Sequence, residues 1–498
     1  MGLLDSYEPK SVWKFFEEFS KIPHGSGNTK EISDYVVEFA KERGLKYRQD
    51  EVNNVVIFKD ATEGYEKSEP VILQGHIDMV AVKDEDVDKD LVKDHIDLEI
   101  IHADDTSDPE GMKGVFEHDE WVTAKGTTLG GDDGIAVAFM LAILDSDEIK
   151  HPALECVFTI DEEIGMIGAT ALDASDLKGK ILLNADSQHE GKFVVGCAGG
   201  VIVEASLPIN KEPITPYVIE FKVDGLTGGH SGTAIDQYRM NGLIAMGRIL
   251  LKCFQNVGMR IITVDGGVAD NAIPTEAEAA VVVLEENKDE TVKIIKETFE
   301  EIKAEFKDTD PDANLTINEV GEQDVRALGD GSTLATIIAL SNMPNGIQRV
   351  DSKMNSVETS LNLGMVRTED ERVMYKFLVR STKETAKWDV VEKIRALTEI
   401  FGGEIKTYGQ YKGWEPIKDS KITKVMSDNF KEMFGKEARV GTVHAGLECG
   451  IFADKIEGLD AISFGPQVDD IHTTAEKASI LSTKRCWDLV LKTLEDLK

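Results

Sequence analysis

A chain of 498 residues, 41% of them hydrophobic, is too long for one ordinary domain and apolar enough for substantial cores, so two domains are expected. A formal net charge of −37 excludes nucleic acid and anionic membrane as partners, since either would meet like-charge repulsion. With no run of about 18 apolar residues, no signal-like N-terminus and five scattered cysteines outside any CxxC pair, a cytoplasmic protein with reduced thiols is expected.

Residues 11–43 carry apolar side chains at helical spacing, interrupted by Pro23-His24-Gly25-Ser26-Gly27-Asn28, which predicts two helices around a turn. Strands are predicted at 55–59 and 71–74. The stretch 84–120 is dense in Asp, Glu and Lys and reads as a solvated excursion with a short strand at 98–101; its acidic part, 102–118, has no assigned role. From Gly134 the run Ile-Ala-Val-Ala-Phe-Met-Leu-Ala-Ile-Leu is apolar on every side, as in a helix buried at a protein's centre. Strands at 155–160 and 181–184 complete a βαβ rhythm and predict an α/β domain with a mostly parallel sheet flanked by helices.

Near residue 206 the pattern changes to an α+β unit with strands at 218–223, 259–264 and 276–284 and a helix at 239–254. A similar series follows, with helices at 333–341 and 385–400 and strands at 357–365, 373–379 and 404–408, so the inserted domain looks internally duplicated. A helix at 420–434, the loop of His444 and the strand before His472 return to the first domain. The expected division is 1–205 and 413–498 for the catalytic domain and 206–412 for the insert.

Ligands of open α/β sheets gather beyond the carboxyl ends of strands, and polar motifs sit at those ends here. His76 and Asp78 follow the strand at 71–74 two apart, on one face, so that Asp78 can orient a metal-binding imidazole. Gly131-Asp132-Asp133-Gly134 opens the buried helix, where Asp also serves as a cap, yet a carboxylate there can bridge two cations. Asp161-Glu162-Glu163 places three carboxylates after one strand, a repulsion that solvent or cations must offset, and lets one Glu bind metal while its neighbour handles a proton. Asp186 and His472 repeat the placement. Asp132, Glu163 and Asp186 bring three negative charges against the four of two divalent cations, and mixed imidazole and carboxylate donors suit Zn²⁺, with Mn²⁺ or Co²⁺ as substitutes.

Together with Ile22–Asn28, Lys125–Gly130, Gly228-Gly229-His230-Ser231-Gly232, Asn271-Ala272-Ile273-Pro274 and His444-Ala445-Gly446-Leu447-Glu448-Cys449-Gly450, these motifs resemble the aminoacyl-histidine dipeptidases, also called peptidase D or bacterial carnosinase, of the di-zinc aminopeptidase, aminoacylase and carboxypeptidase superfamily. The resemblance runs over nearly the whole chain. It implies two Zn²⁺ per subunit, one held by His76, Asp132 and Asp186 and the other by Asp132, Glu163 and His472, with Asp78 orienting His76 and Glu162 as general base. It further implies that His230 stabilises the oxyanion, that Asn271 and Arg380 bind the substrate carboxylate or polarise the carbonyl, and that the protein is a homodimer. Glu448 is a candidate for the substrate's amine end. Asp133 departs from the usual Asn.

The expected activity is metal-dependent hydrolysis of small dipeptides, Xaa-His such as β-Ala-His or a broader range. An N-acyl amino acid deacylase or a noncatalytic metal-binding protein are the competing readings.

Overall fold

The computed structural model describes residues 2–102, 116, 120–352 and 355–498, so nearly all of the acidic segment 102–118 lies outside the described residues. The chain forms two compact units, Met1–Gly196 with Trp414–Thr442 and Leu447–Lys498, and Cys197–Gly413 with Val443–Gly446.

The first unit is built on an eight-stranded sheet in the order Lys46–Gln49, Val55–Lys59, Leu154–Thr159, Val71–His76, Ile181–Asn184, Asp460–Ser463, Lys192–Cys197, Arg439–Val443. Its central four strands, from Leu154–Thr159 to Asp460–Ser463, run parallel. Outside them Val55–Lys59 and Lys192–Cys197 pair antiparallel. Three of the four central strands are buried along their whole length, which is why each carries a continuous apolar stretch, Val71–Leu73, Cys156–Phe158 or Ile181–Leu183, rather than an alternation. The helix Gly131–Asp145 is buried from Gly131 to Leu144. Phe16 and Phe19 of the N-terminal helix Lys10–Phe19 reach it so closely that a Cβ on Gly134 would lie 3.2 Å from the Phe16 ring.

The expected solvated excursion is partly structured. Leu98–His102 pairs with Glu120–Ala124, and that strand pairs with Lys477–Ser479, which in turn pairs with Val468–Asp469. Trp121 and Val122 are buried there, and their apolar contribution is masked in sequence by the charges around them.

The second unit contains a nine-stranded sheet whose main path divides into two halves of the same design. The segments Tyr217–Asp224, helix Gly242–Val257, Arg260–Gly266, Ala277–Val283, helix Lys288–Glu305 and Asn314–Glu322 form a βαββαβ copy with its fourth strand beside its first, then its third and second. The other copy runs Gly199–Pro208, helix Asp330–Asn342, Ser356–Thr368, Arg372–Ser381, helix Glu384–Ile400 and Glu404–Tyr411, with the same order. The first copy is inserted after the opening strand of the second. That strand, Gly199–Pro208, alternates buried Val201, Val203, Ala205 and Leu207 with more exposed neighbours. It pairs with Arg372–Ser381 and Glu404–Tyr411, so the second unit begins ahead of residue 206. The copies meet where Gly266 pairs with Val366, and Arg367 closes the seam by donating to the carbonyls of Gly266 (2.6 Å), Val366 (2.7 Å) and Gly267 (2.5 Å).

Candidate metal centre

The four central parallel strands of the first unit deliver His76 at the end of one, Asp161-Glu162-Glu163 just beyond the second, Asp186 beyond the third and the loop of His472 beyond the fourth. Asp132 and Asp133 come from the start of the buried helix, across a cis peptide bond. Ligand atoms of Asp132, Glu163 and His472 lie within 4.8 Å of one another, as do those of His76, Asp133 and Asp186 and those of His76, Glu162 and Glu163. Asp132 links the two sides: its Oδ1 is 3.3 Å from His76 Nε2 and its Oδ2 is 3.5 Å from His472 Nε2. His472 Nε2 lies 2.8 Å from Glu163 Oε1, and His76 Nε2 lies 4.0 Å from Asp186 Oδ1.

Asp78 is a junction. Its carboxylate accepts from Ser26 Oγ (2.8 Å) and from the backbone amides of Glu162 (3.0 Å) and Glu163 (3.4 Å). His76 Nδ1 is 3.0 Å from the Asp78 carbonyl and 3.5 Å from its carboxylate, so the backbone oxygen is the nearer partner of the ring. Either contact puts the proton on Nδ1 and leaves Nε2 as the donor atom for a cation. Asp161, with a left-handed φ of 53°, accepts from the Gly27 amide, which ties the Pro23–Asn28 turn to the same loop. His472 is also left-handed, with a φ of 63°, a conformation that side chains other than Gly adopt seldom.

Burial is the largest influence on these groups. It pushes the Glu162 carboxyl up to about 8, with Glu448, Glu163 and Asp132 adding to the rise and His76 opposing it. Burial likewise carries Asp186 and Asp133 well above the carboxylate range, reinforced by the Asp132 charge. Asp132 instead moves down, because the imidazoles of His472 and His76 outweigh its burial. His472 rises to about 10 against its own desolvation, through Asp132 and Glu163. Five buried or half-buried carboxylates facing two imidazoles, with no thiol among them, form a donor set for hard or borderline divalent cations, which would relieve this crowding.

Sequence reading does not find two partners of this cluster, Gln188 and Glu476. Gln188 donates to Asp132 Oδ2 (3.2 Å) and Asp186 Oδ1 (3.5 Å). Glu476 accepts from four consecutive backbone amides, Leu129 to Asp132. Glu448 is fully enclosed, and its Oε2 accepts from Gln74 Nε2 (2.5 Å) and Thr159 Oγ1 (2.6 Å), so it faces the strands beneath the cluster rather than an open surface. Asp133 Oδ2 accepts from the His76 amide at 3.2 Å.

The remaining expected residues lie in the second unit. His230 Nδ1 accepts from the backbone amides of Gly232 (3.3 Å) and Thr233 (3.1 Å), which leaves the ring proton on Nε2. That nitrogen is 3.3 Å from Arg380 Nη2, and Arg380 Nη1 donates to the Tyr411 hydroxyl at 2.9 Å. Two donors side by side suit an anionic oxygen. The Asn271 loop is held against His230 by the bonds Ser231 N to Asn271 O and Ile273 N to Gly229 O, both 2.8 Å.

The sequence model described as Peptidase family M20/M25/M40 matches residues 72–496. The chain is 34% identical over 501 residues to the cytosol non-specific dipeptidase of Escherichia coli K12, covering all of this chain and 99% of that one. The crystal structure of the aminoacylhistidine dipeptidase from Vibrio alginolyticus is similar, with a TM-score of 0.85 and 35% identity, over 100% of this chain and 98% of that one. The M20 family metallo-carboxypeptidase Sso-CP2 from Sulfolobus solfataricus shares the fold, with a TM-score of 0.53 and 14% identity over 98% and 99% of the two chains.

Proposed function

The chain belongs to peptidase family M20/M25/M40, and from that premise we propose that it is a metal-dependent dipeptidase that hydrolyses the single peptide bond of unblocked dipeptides in the cytosol. The observation that carries this reading is the gathering of His76, Asp132, Glu163, Asp186 and His472 at the ends of four parallel strands, with the buried carboxyl of Glu162 beside them. His76, Asp132 and Asp186 would hold one Zn²⁺ and Asp132, Glu163 and His472 the other, with Mn²⁺ or Co²⁺ able to substitute. The cations would supply a Lewis acid for the scissile carbonyl and an acidified water.

The chain's own residues do the rest. Glu162 takes the proton of the attacking water and returns it to the departing amine, a role suited to a carboxyl whose proton affinity burial has raised. Asp78 fixes both the His76 ring and the backbone that carries Glu162 and Glu163. His230 offers a ring N–H to charge developing on the carbonyl oxygen, while Arg380 and Asn271 receive the substrate's carboxylate. The Glu448 carboxylate accepts from Gln74 and Thr159, residues of the strands that end in His76 and lead to Glu162. The names of the relatives bracket the substrate range, one non-specific and one aminoacylhistidine-directed, and β-Ala-His belongs in it. The family resemblance supports a homodimer.

The test is hydrolysis of a panel that includes Leu-Leu, β-Ala-His and their N-acetyl analogues by chelator-stripped protein, with and without added Zn²⁺, Mn²⁺ or Co²⁺. Metal-restored cleavage of the free dipeptides alone is expected. Preference for the N-acetyl forms would make the protein a deacylase, and binding of metal without any cleavage would make it noncatalytic.

A further inference from the structure

One β-hairpin of the first unit holds both His472 and an acidic residue, Glu476, that no expectation included. Val468–Asp469 pairs with Lys477–Ser479, and the intervening loop places His472 against Glu163 and Asp132. At the base of that loop Glu476 is 2% exposed, and its carboxylate spans the turn that leads into the buried helix. Oε2 accepts from the amides of Leu129 (2.8 Å) and Gly130 (3.1 Å), and Oε1 from those of Gly131 (2.9 Å) and Asp132 (3.3 Å). The Glu476 carbonyl is itself held by Thr123 Oγ1 at 2.6 Å, from a strand paired with the hairpin.

Gly130 takes a left-handed φ of 72°, and a Cβ on Gly131 would lie 3.3 Å from Glu476 Oε1, so the glycines let the backbone wrap around the carboxylate. Four amide donors converge on two oxygens, and the last of them belongs to Asp132, the residue between the two imidazoles. The hairpin therefore touches the centre twice, once through the His472 ring and once through the backbone of Asp132.

We propose that Glu476 is a positioning residue of the metal centre, which fixes the backbone of Asp132 in register with His472 and so sets how the shared carboxylate meets the two cations. It touches neither substrate nor cation. The inference rests on the proposed metal site, and partners of this kind typically cost about 10–100-fold in metal affinity when removed.

Zn²⁺ affinity, measured by competition with a chromophoric chelator, and the visible spectrum of the Co²⁺ form would be compared among the wild type, Glu476→Gln and Glu476→Asp, with melting temperatures of the stripped proteins. In Glu476→Gln an NH₂ group faces two of the four amide donors. The expected result is a folded variant with Zn²⁺ binding weakened about 10–100-fold and a changed Co²⁺ spectrum, and a smaller loss in Glu476→Asp, which keeps both oxygens. Wild-type affinity and spectrum in a folded Glu476→Gln would overturn the proposal, even with a lowered melting temperature. If that variant does not fold, Glu476→Asp decides by the same readouts, and failure of both to fold would assign Glu476 to folding alone. Absence of metal binding by the wild type would instead overturn the metal site itself.

Discussion

The backbone amide of Glu162 donates to Oδ1 of Asp78 at 3.0 Å, so the proposed general base is aimed by the same carboxylate that stands beside the His76 ring. A change at Asp78 therefore disturbs metal binding and proton transfer together, whereas a change at Glu162 leaves the donors in place. Glu162→Gln should lower kcat by about 10²–10⁴, with the bound metal content unchanged by elemental analysis.

Loading the stripped protein with metal should release protons. Glu162, near 8, and His472, near 10, both hold a proton at pH 7 in the metal-free chain, and both must lose it or share it when cations enter. Calorimetric titration at pH 7 in buffers of different ionisation enthalpy should show net release, and the part due to Glu162 should vanish as the pH is raised past 8. Buffer-independent heats at pH 7 would contradict this.

Arg380→Lys should raise KM for free dipeptides by more than about tenfold, because lysine cannot present the planar pair of donors that a carboxylate accepts. The effect should be absent for dipeptide amides, in which that carboxylate is missing. Equal losses for both substrates would place Arg380 outside carboxylate recognition.

His24 is fully buried, with Nδ1 2.6 Å from the Ile22 carbonyl, and its burial pulls it down to about 4. Below pH 6.5 the unfolded chain takes up a proton that the folded chain refuses, so stability is whole above 6.5 and falls as the pH drops toward 4, by about 3 kcal/mol for this group. His24→Asn should flatten that part of the melting-temperature profile of the stripped protein. His444, pulled down to about 3 by its burial and by Arg380, leaves a residual slope.

At the seam of the duplicated unit, Arg367→Met removes charged donors from the carbonyls of Gly266, Val366 and Gly267. A loss of about 2 kcal/mol is expected, read as a lower melting temperature with Zn²⁺ affinity unchanged.

The parts legible in the sequence are those whose signal is local. The central strands announce themselves as apolar runs, and His76, Asp186 and the Asp161–Glu163 triplet sit at or just past their ends. The strand Gly199–Pro208 escaped because its partners, Arg372–Ser381 and Glu404–Tyr411, lie far along the chain, and Glu120–Ala124 escaped because charges surround it. Glu476 bonds to backbone amides more than three hundred residues away, and a backbone amide has no side-chain identity to read. Glu448 sits in a motif that is visible, but only the fold shows that its carboxyl turns inward to Gln74 and Thr159.

The nested order of the second unit has a consequence for how the chain is made. Residues 217–322 contain a whole βαββαβ copy and can pair internally as soon as they are synthesised, while Gly199–Pro208 must wait for Arg372–Ser381, and Ile181–Asn184, already beside Val71–His76, must wait for Asp460–Ser463 on its other edge. Within the second unit, assembly on the ribosome thus proceeds from the inside outward, with Gly199–Pro208 held without its strand partners until the second copy is made. The segment that carries His472 follows the whole insert, so a chain stopped between the two would hold a folded insert and an incomplete metal centre.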